Sequence, residues 1–224
     1  MLIALLLSFA GSPDIAALED SVCYGTPGNG RIENSVKLQD KGNNFISYGT
    51  VPELLGRTYV HNKVRDVVVD AYRILEKELP DKVYKFAETG KKKGGEFKPH
   101  KTHQNGLSVD FIVPVIDKTG RSVQLPTNIF NKYGYSVEFD DKGVKGIYRI
   151  DFEAMGAHIV ALHKAAKNSG IGIQRVLFDP ALQRYIYASS YGAYIRRNIK
   201  MPEKRSWVRH DDHYHVDFIV KCEP

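Results

Sequence analysis

The apolar positions of this chain repeat with two different periods. Val64, Val68, Ala71, Leu75 and Leu79 recur every three to four residues, the spacing of an amphipathic helix, and Pro80 ends the run. A second helix is predicted over 151–167, with Met155, Ile159 and Leu162 on one face, and a third over 180–189, opened by Pro180. Between them lie short β-rich runs at 83–87, 108–113, 171–178 and 213–221 that read as strands. The segments 117–120 and 140–143 carry hairpin-turn chemistry. Residues 24–50, rich in turn formers around Gly25, Pro27, Gly28 and Gly30, read as irregular structure. Helices interspersed with hairpin-linked strands predict an α+β domain, with a central antiparallel sheet and flanking helices.

Two strands break the apolar pattern where chemistry is expected. The run 108–113 is nearly all apolar apart from Asp110. An unpaired carboxylate there would cost several kcal/mol, so a metal ion, or an Arg or Lys partner, is expected beside it. His103 lies seven residues earlier, and Gly106 between them permits a sharp turn into the strand. In the last strand His213 and His215 are two apart and so share a face, with Asp217 next in line; Val216, Phe218 and Val220 point the other way, towards a core. The two imidazoles offer two metal ligands, or one ligand and one catalytic group.

The chain has eight histidines, and five fall in two short segments, His100 and His103 in one and His210, His213 and His215 in the other. Two imidazoles, one carboxylate and an open position match the donor set of catalytic zinc sites. Such a site carries a net charge of +1 and strongly acidifies a bound water. His61, His158 and His163 stand alone and receive no role.

Composition adds limits. Hydrophobic residues make up 42% and charged residues 26% of the 224, enough to bury one sizeable core without staples. The net charge of +6 favours anionic polymers, among them nucleic acid, acidic lipid and cell-wall carboxylates. No aromatic–basic repeat supports nucleic acid. Lys91, Lys92 and Lys93 sit in a glycine-rich loop that reads as solvated, with attraction of substrate carboxylates as the second reading. The first ten residues are apolar and uncharged, about 15 Å as a helix, which is half a bilayer core and so no membrane span. They are similar to the apolar part of a secretory signal without its basic start. We expect a signal remnant over 1–18 and one domain over 19–224. Cys23 and Cys222 stand near opposite ends, either as separate buried thiols or as a bridge joining the termini; the apolar leader favours the bridge.

Residues 94–110, with Gly94, Gly95, His100, His103, Gly106 and Asp110, resemble the first motif of the penicillin-insensitive murein endopeptidases. Residues 207–216, with Trp207, His210, Asp211, Asp212, His213 and His215, resemble their closing motif, and 175–182 are similar to a segment leading into a helix. The resemblance runs from about Ser21 onward and is weak between the motifs. It implies a zinc fold shared with lysostaphin-type peptidases, D-Ala-D-Ala peptidases and the hedgehog signalling domain. It implies Zn2+ on His103, Asp110 and His215, with His213 catalytic and His210 beside the ligands or the substrate; for the mechanism we expect His210 to take the water proton. His100, Gln104 and Trp207 would support the ligands or meet the substrate; Trp207 reads equally as an anchor for the last strand. It also implies a Cys23–Cys222 disulfide, a periplasmic or secreted location, and peptidoglycan as substrate, cut at the D-alanyl–meso-diaminopimelyl crosslink. The family's other cysteines are missing here, Lys91–Lys93 replaces a less basic stretch, and Thr102 stands where serine is common. Two alternatives remain. One is a D,D-carboxypeptidase or dipeptidase of the same superfamily, whose glutamate base would correspond to the neighbourhood of Asp211 and Asp212. The other is a non-catalytic zinc-dependent wall-binding module.

Overall fold

The computed structural model describes residues 19–204 and 209–224. The expected signal remnant at 1–18 and Trp207 lie outside the described residues. In chain order the elements are β1 (Val22–Thr26), β2 (Asn29–Glu33), β3 (Val36–Lys37), β4 (Phe45–Ser47), α1 (Thr50–Leu54), β5 (Tyr59–Val60) and α2 (Asn62–Glu78). Next come β6 (Tyr84–Phe86), β7 (Ser108–Ile112), β8 (Val115–Ile116), β9 (Ser122–Val123) and a 3-10 segment, Ile129–Gly134. The remainder is β10 (Val144–Lys145), β11 (Tyr148–Ile150), α3 (Phe152–Asn168), β12 (Gly172–Leu177), α4 (Pro180–Ala188), α5 (Gly192–Asn198) and β13 (His213–Ile219).

Helices and sheets alternate as expected of an α+β chain. The main sheet runs β12-β13-β7-β6-β4. It is antiparallel from β12 to β6, but β4 and β6 pair in parallel, which corrects the wholly antiparallel expectation. The reason is connectivity: the chain leaves β4 and returns through α1, β5 and α2, a crossover long enough to restore strand direction. Val109, Phe111, Tyr214, Val216 and Phe218 join the buried core, which also takes Val64, Val67, Val68, Ala71, Tyr72 and Leu75 of α2 and most of α3. The opposite face of β7 and β13 carries polar side chains.

Helix α2 starts two residues before the apolar repeat, because His61 Nδ1 accepts a hydrogen bond from Lys63 N and caps it. Asp151 and Asp179 cap α3 and α4 in the same way, with Pro180 in the first turn. Residues 24–50 are not irregular. They form the β1–β2 hairpin, β3 and β4. Their strands are short and polar and are held by distant chain: Ile32 N donates to Lys93 O, and Gly95 N to Gly30 O. The turn at 117–120 joins β8 to β9 as predicted. That at 140–143 instead leads into β10, where Asp140 Oδ1 accepts from Lys142 N and Val144 N; the hairpin turn is at Gly146-Ile147.

Cys23 and Cys222 are disulfide-bonded across 199 residues of sequence. The bridge fastens β1 to the chain end, where Glu223 N also donates to Cys23 O. A chain with both cysteines changed to serine is expected to lose about 2–4 kcal/mol of stability, read from its urea midpoint.

His158, on α3, stacks on Tyr72 and hydrogen-bonds Tyr214 Oη within the core. Burial pushes its imidazole down to about 3. The unfolded chain takes up this proton near pH 6.5 and the folded chain only near pH 3. Stability is therefore expected to fall as pH drops through that window, by roughly 1.4 kcal/mol per pH unit from this residue. Urea titrations from pH 7 to 4 check this, and His158→Gln should show the shallower decline.

Candidate metal centre

The pairing of β7 with β13 assembles the site. Register sets His215 opposite Asp110, His213 opposite Ile112 and Asp217 opposite Ser108. Residues two apart share a face, so Ser108, Asp110, His213, His215 and Asp217 project together on the face away from the core. The 87–107 connection folds over that face and brings His100 and His103 to it. Gly106, with φ of 75°, makes the expected turn: an added Cβ would lie 2.9 Å from His61 N. Gly90 lets the loop close, since a Cβ there would lie 2.9 Å from the His103 carbonyl oxygen. His103 itself adopts φ of 69°, uncommon outside glycine.

Asp110 is completely buried at the centre. Among the described residues its ion-pair partners are all imidazoles rather than Arg or Lys. Its Oδ1 lies 2.8 Å from His215 Nδ1 and 3.3 Å from His103 Nε2. Its Oδ2 accepts from Tyr135 Oη at 2.7 Å and lies 3.9 Å from both His100 Nδ1 and His213 Nε2. Burial alone would raise this carboxyl; the surrounding imidazoles, His103 and His213 foremost and His215 with them, hold it well below the usual carboxylate range.

One buried atom favours a cation at this centre. His103 Nδ1 lies 3.0 Å from the Thr89 carbonyl oxygen, which can only accept, so Nδ1 carries the proton. Nε2 is then a bare lone pair, fully buried, with no hydrogen-bond partner. Burial lowers its pKa in spite of Asp110, so the ring stays neutral. A bare nitrogen facing a carboxylate in a dry interior fits a cation between them. A backbone carbonyl on the far nitrogen is the usual support of a metal-bound imidazole. His100, His103 and Asp110 offer ligand atoms within 4.8 Å of one another, a spacing that one metal ion can bridge.

The other imidazoles are also anchored. His213 Nδ1 pairs with Asp212 Oδ1, and its ring lies 4.8 Å from that of His210. Burial would lower His213, but Asp110 and Asp212 raise it. His215 is likewise raised, to about 10, with Asp217 and Asp110 outweighing burial. His100 Nε2 meets Glu88 Oε2 at 2.9 Å.

Several participants had no signal in the sequence. Tyr135 follows the 3-10 segment and packs its ring against His100 and His213. Among the described residues Glu88 is the glutamate that lines the cleft, whereas Glu96, within the first motif, is exposed. Glu88 does not act as a free base: Arg57 donates to both its oxygens at 2.6 Å, and Tyr48 donates as well. Burial would raise its carboxyl, but His100 and Arg57 lower it. Asp211 accepts from Phe139 N and pairs with Arg209, and Asp212 is committed to His213. Both carboxylates that the carboxypeptidase alternative would draw on are thus paired. Gln104 uses its backbone to join Pro27 and Gly95, and its side chain is not part of the cleft lining.

A cleft of about 790 Å3 opens on the centre, lined by His100, Asp110, Tyr135, His210, His213 and His215. Its wall also carries Lys101, Lys132, Arg175, Lys204 and Arg209. Lys91–Lys93 lie elsewhere, with Lys91 Nζ on the Glu96 carbonyl. These three lysines are exposed, as the solvated reading expected, and the basic side chains at the cleft are the five above instead.

The profile of the penicillin-insensitive murein endopeptidases matches residues 23–224. The chain belongs to this family. A search of curated proteins found no match. Members of the family are hydrolases that cut murein, and murein is the substrate class of this chain. Wall cleavage and the Cys23–Cys222 bridge both point to an extracytoplasmic protein. Among the described residues no helix is long and apolar enough to cross a membrane.

Proposed function

We propose that this chain is a zinc-dependent endopeptidase that hydrolyses the D-alanyl–meso-diaminopimelyl crosslink of peptidoglycan in the periplasm or outside the cell. In this reading its sheet and helices form the zinc fold common to D-Ala-D-Ala peptidases and hedgehog domains. The observation that carries it is the bare, buried Nε2 of His103 facing Asp110. His103, Asp110 and His215 are the proposed ligands. His103 and His215 both approach Asp110 Oδ1, at 3.3 and 2.8 Å. His100 stands 3.9 Å from the other oxygen, with its second nitrogen on Glu88, which suits a residue that braces the site or meets substrate.

When bound, the metal supplies a Lewis acid for the scissile carbonyl and acidifies the attacking water. The rest falls to side chains. His213, fixed by Asp212 on one nitrogen, turns the other towards the centre and donates to the oxygen on which charge develops. His210, beside it in the cleft, accepts the water proton and returns it to the leaving amine. Tyr135 fixes the Asp110 oxygen that faces His213. The basic cleft wall draws in the carboxylates of the wall peptide.

Crosslinked muropeptide dimers and uncrosslinked pentapeptide monomers, digested separately and analysed by mass spectrometry, test the reaction. Dimers are expected to resolve into monomers, and a chelator to stop this. Removal of terminal D-alanine from monomers with dimers left intact would contradict the endopeptidase reading.

A further inference from the structure

Asp217 is fully buried on the polar face, one alternation beyond His215. Its carboxylate meets three donors, one from each of three adjacent strands. Oδ1 accepts from Ser108 Oγ of β7 at 2.7 Å and lies 2.7 Å from Nε2 of His215, on its own strand β13. Oδ2 accepts from Arg175 Nε of β12 at 2.7 Å. The ladders fix these partners: Ser108 and Arg175 both lie opposite Asp217, the latter through a register shift between Ile173 and Arg175. A buried carboxylate this fully satisfied holds one orientation.

We propose that Asp217 is a positioning residue for His215. It accepts the Nε2 proton and so leaves Nδ1, 2.8 Å from Asp110 Oδ1, as the nitrogen presented to the metal. Arg175, which also lines the cleft, balances the charge that Asp217 brings beside a site already holding Asp110. Ser108 fixes the carboxylate plane. Supports of this type change metal affinity by about 10- to 100-fold when removed. The inference rests on the metal-site reading above.

Zinc titration of the metal-free full chain against a competing chelator tests it. Asp217→Ala is expected to bind zinc about 10- to 100-fold more weakly than wild type. Asp217→Asn, which keeps an acceptor but no charge, should fall between them. Nitrogen-15 NMR of the zinc-loaded wild type is expected to show His215 protonated at Nε2, and this spectrum decides the matter if Asp217→Ala does not fold. Wild-type zinc affinity in Asp217→Ala, or a His215 proton on Nδ1, would overturn the inference alone. A wild-type chain that takes up no zinc would overturn the metal-site reading and this inference with it.

Discussion

Asp110→Asn is expected to bind zinc a hundred- to several-thousand-fold more weakly than the wild-type chain, and to lose crosslink hydrolysis with it. The substitution preserves shape and removes only the charge. That charge is the one anion shared by His103, His213 and His215, all buried with it. Removing one partner from a buried, charge-paired cluster costs about 3–5 kcal/mol, and each 1.4 kcal/mol is tenfold in affinity. Tyr135 can still donate to the remaining amide oxygen, so the 3-10 segment should stay docked. Competition with a chelating dye gives the affinity, and circular dichroism at matched temperature shows whether the fold is retained. A chain that folds, yet binds zinc as tightly as wild type, would remove Asp110 from the ligand set.

His213→Ala separates chemistry from binding. It is expected to keep its zinc and to lose about a hundred- to a thousand-fold in turnover, the usual effect of deleting one donor to a developing oxyanion. His213 Nε2 is 3.9 Å from Asp110 Oδ2, farther than either proposed histidine ligand is from its Asp110 oxygen. The loss should appear in kcat more than in KM, because the donor acts on charge that forms only during reaction. Near-wild-type turnover on purified murein would contradict the role, as would loss of the metal.

The contrast between these residues and their supports explains what the sequence could carry. Asp110 stood out because a carboxylate inside an apolar strand demands a partner, and His213 and His215 because alternation puts them on one face. Both signals are local. Tyr135 and Glu88 gave none: one lies in a stretch without periodicity, the other just past a short strand, and only tertiary packing brings them to Asp110. Asp217 was visible as the next polar residue in line, but its partners Ser108 and Arg175 depend on cross-strand register. The same divide runs through the fold. Helices α2 and α3 announced themselves through long apolar repeats, whereas the β1–β2 hairpin is short, polar and held by a disulfide and by the 90–95 loop. The parallel β4–β6 pair followed from a crossover that no local pattern records. Helix α5 is only seven residues long and buries little beyond Gly192 and Ile195.

Zinc titration of four metal-free chains in parallel tests the ligand set most directly: wild type, His100→Ala, His103→Ala and His215→Ala. One tightly held zinc per chain is predicted for wild type and His100→Ala, with binding lost in His103→Ala and His215→Ala. Failure of wild type to take up zinc, or loss in His100→Ala with retention in His215→Ala, would contradict the site proposed for this chain.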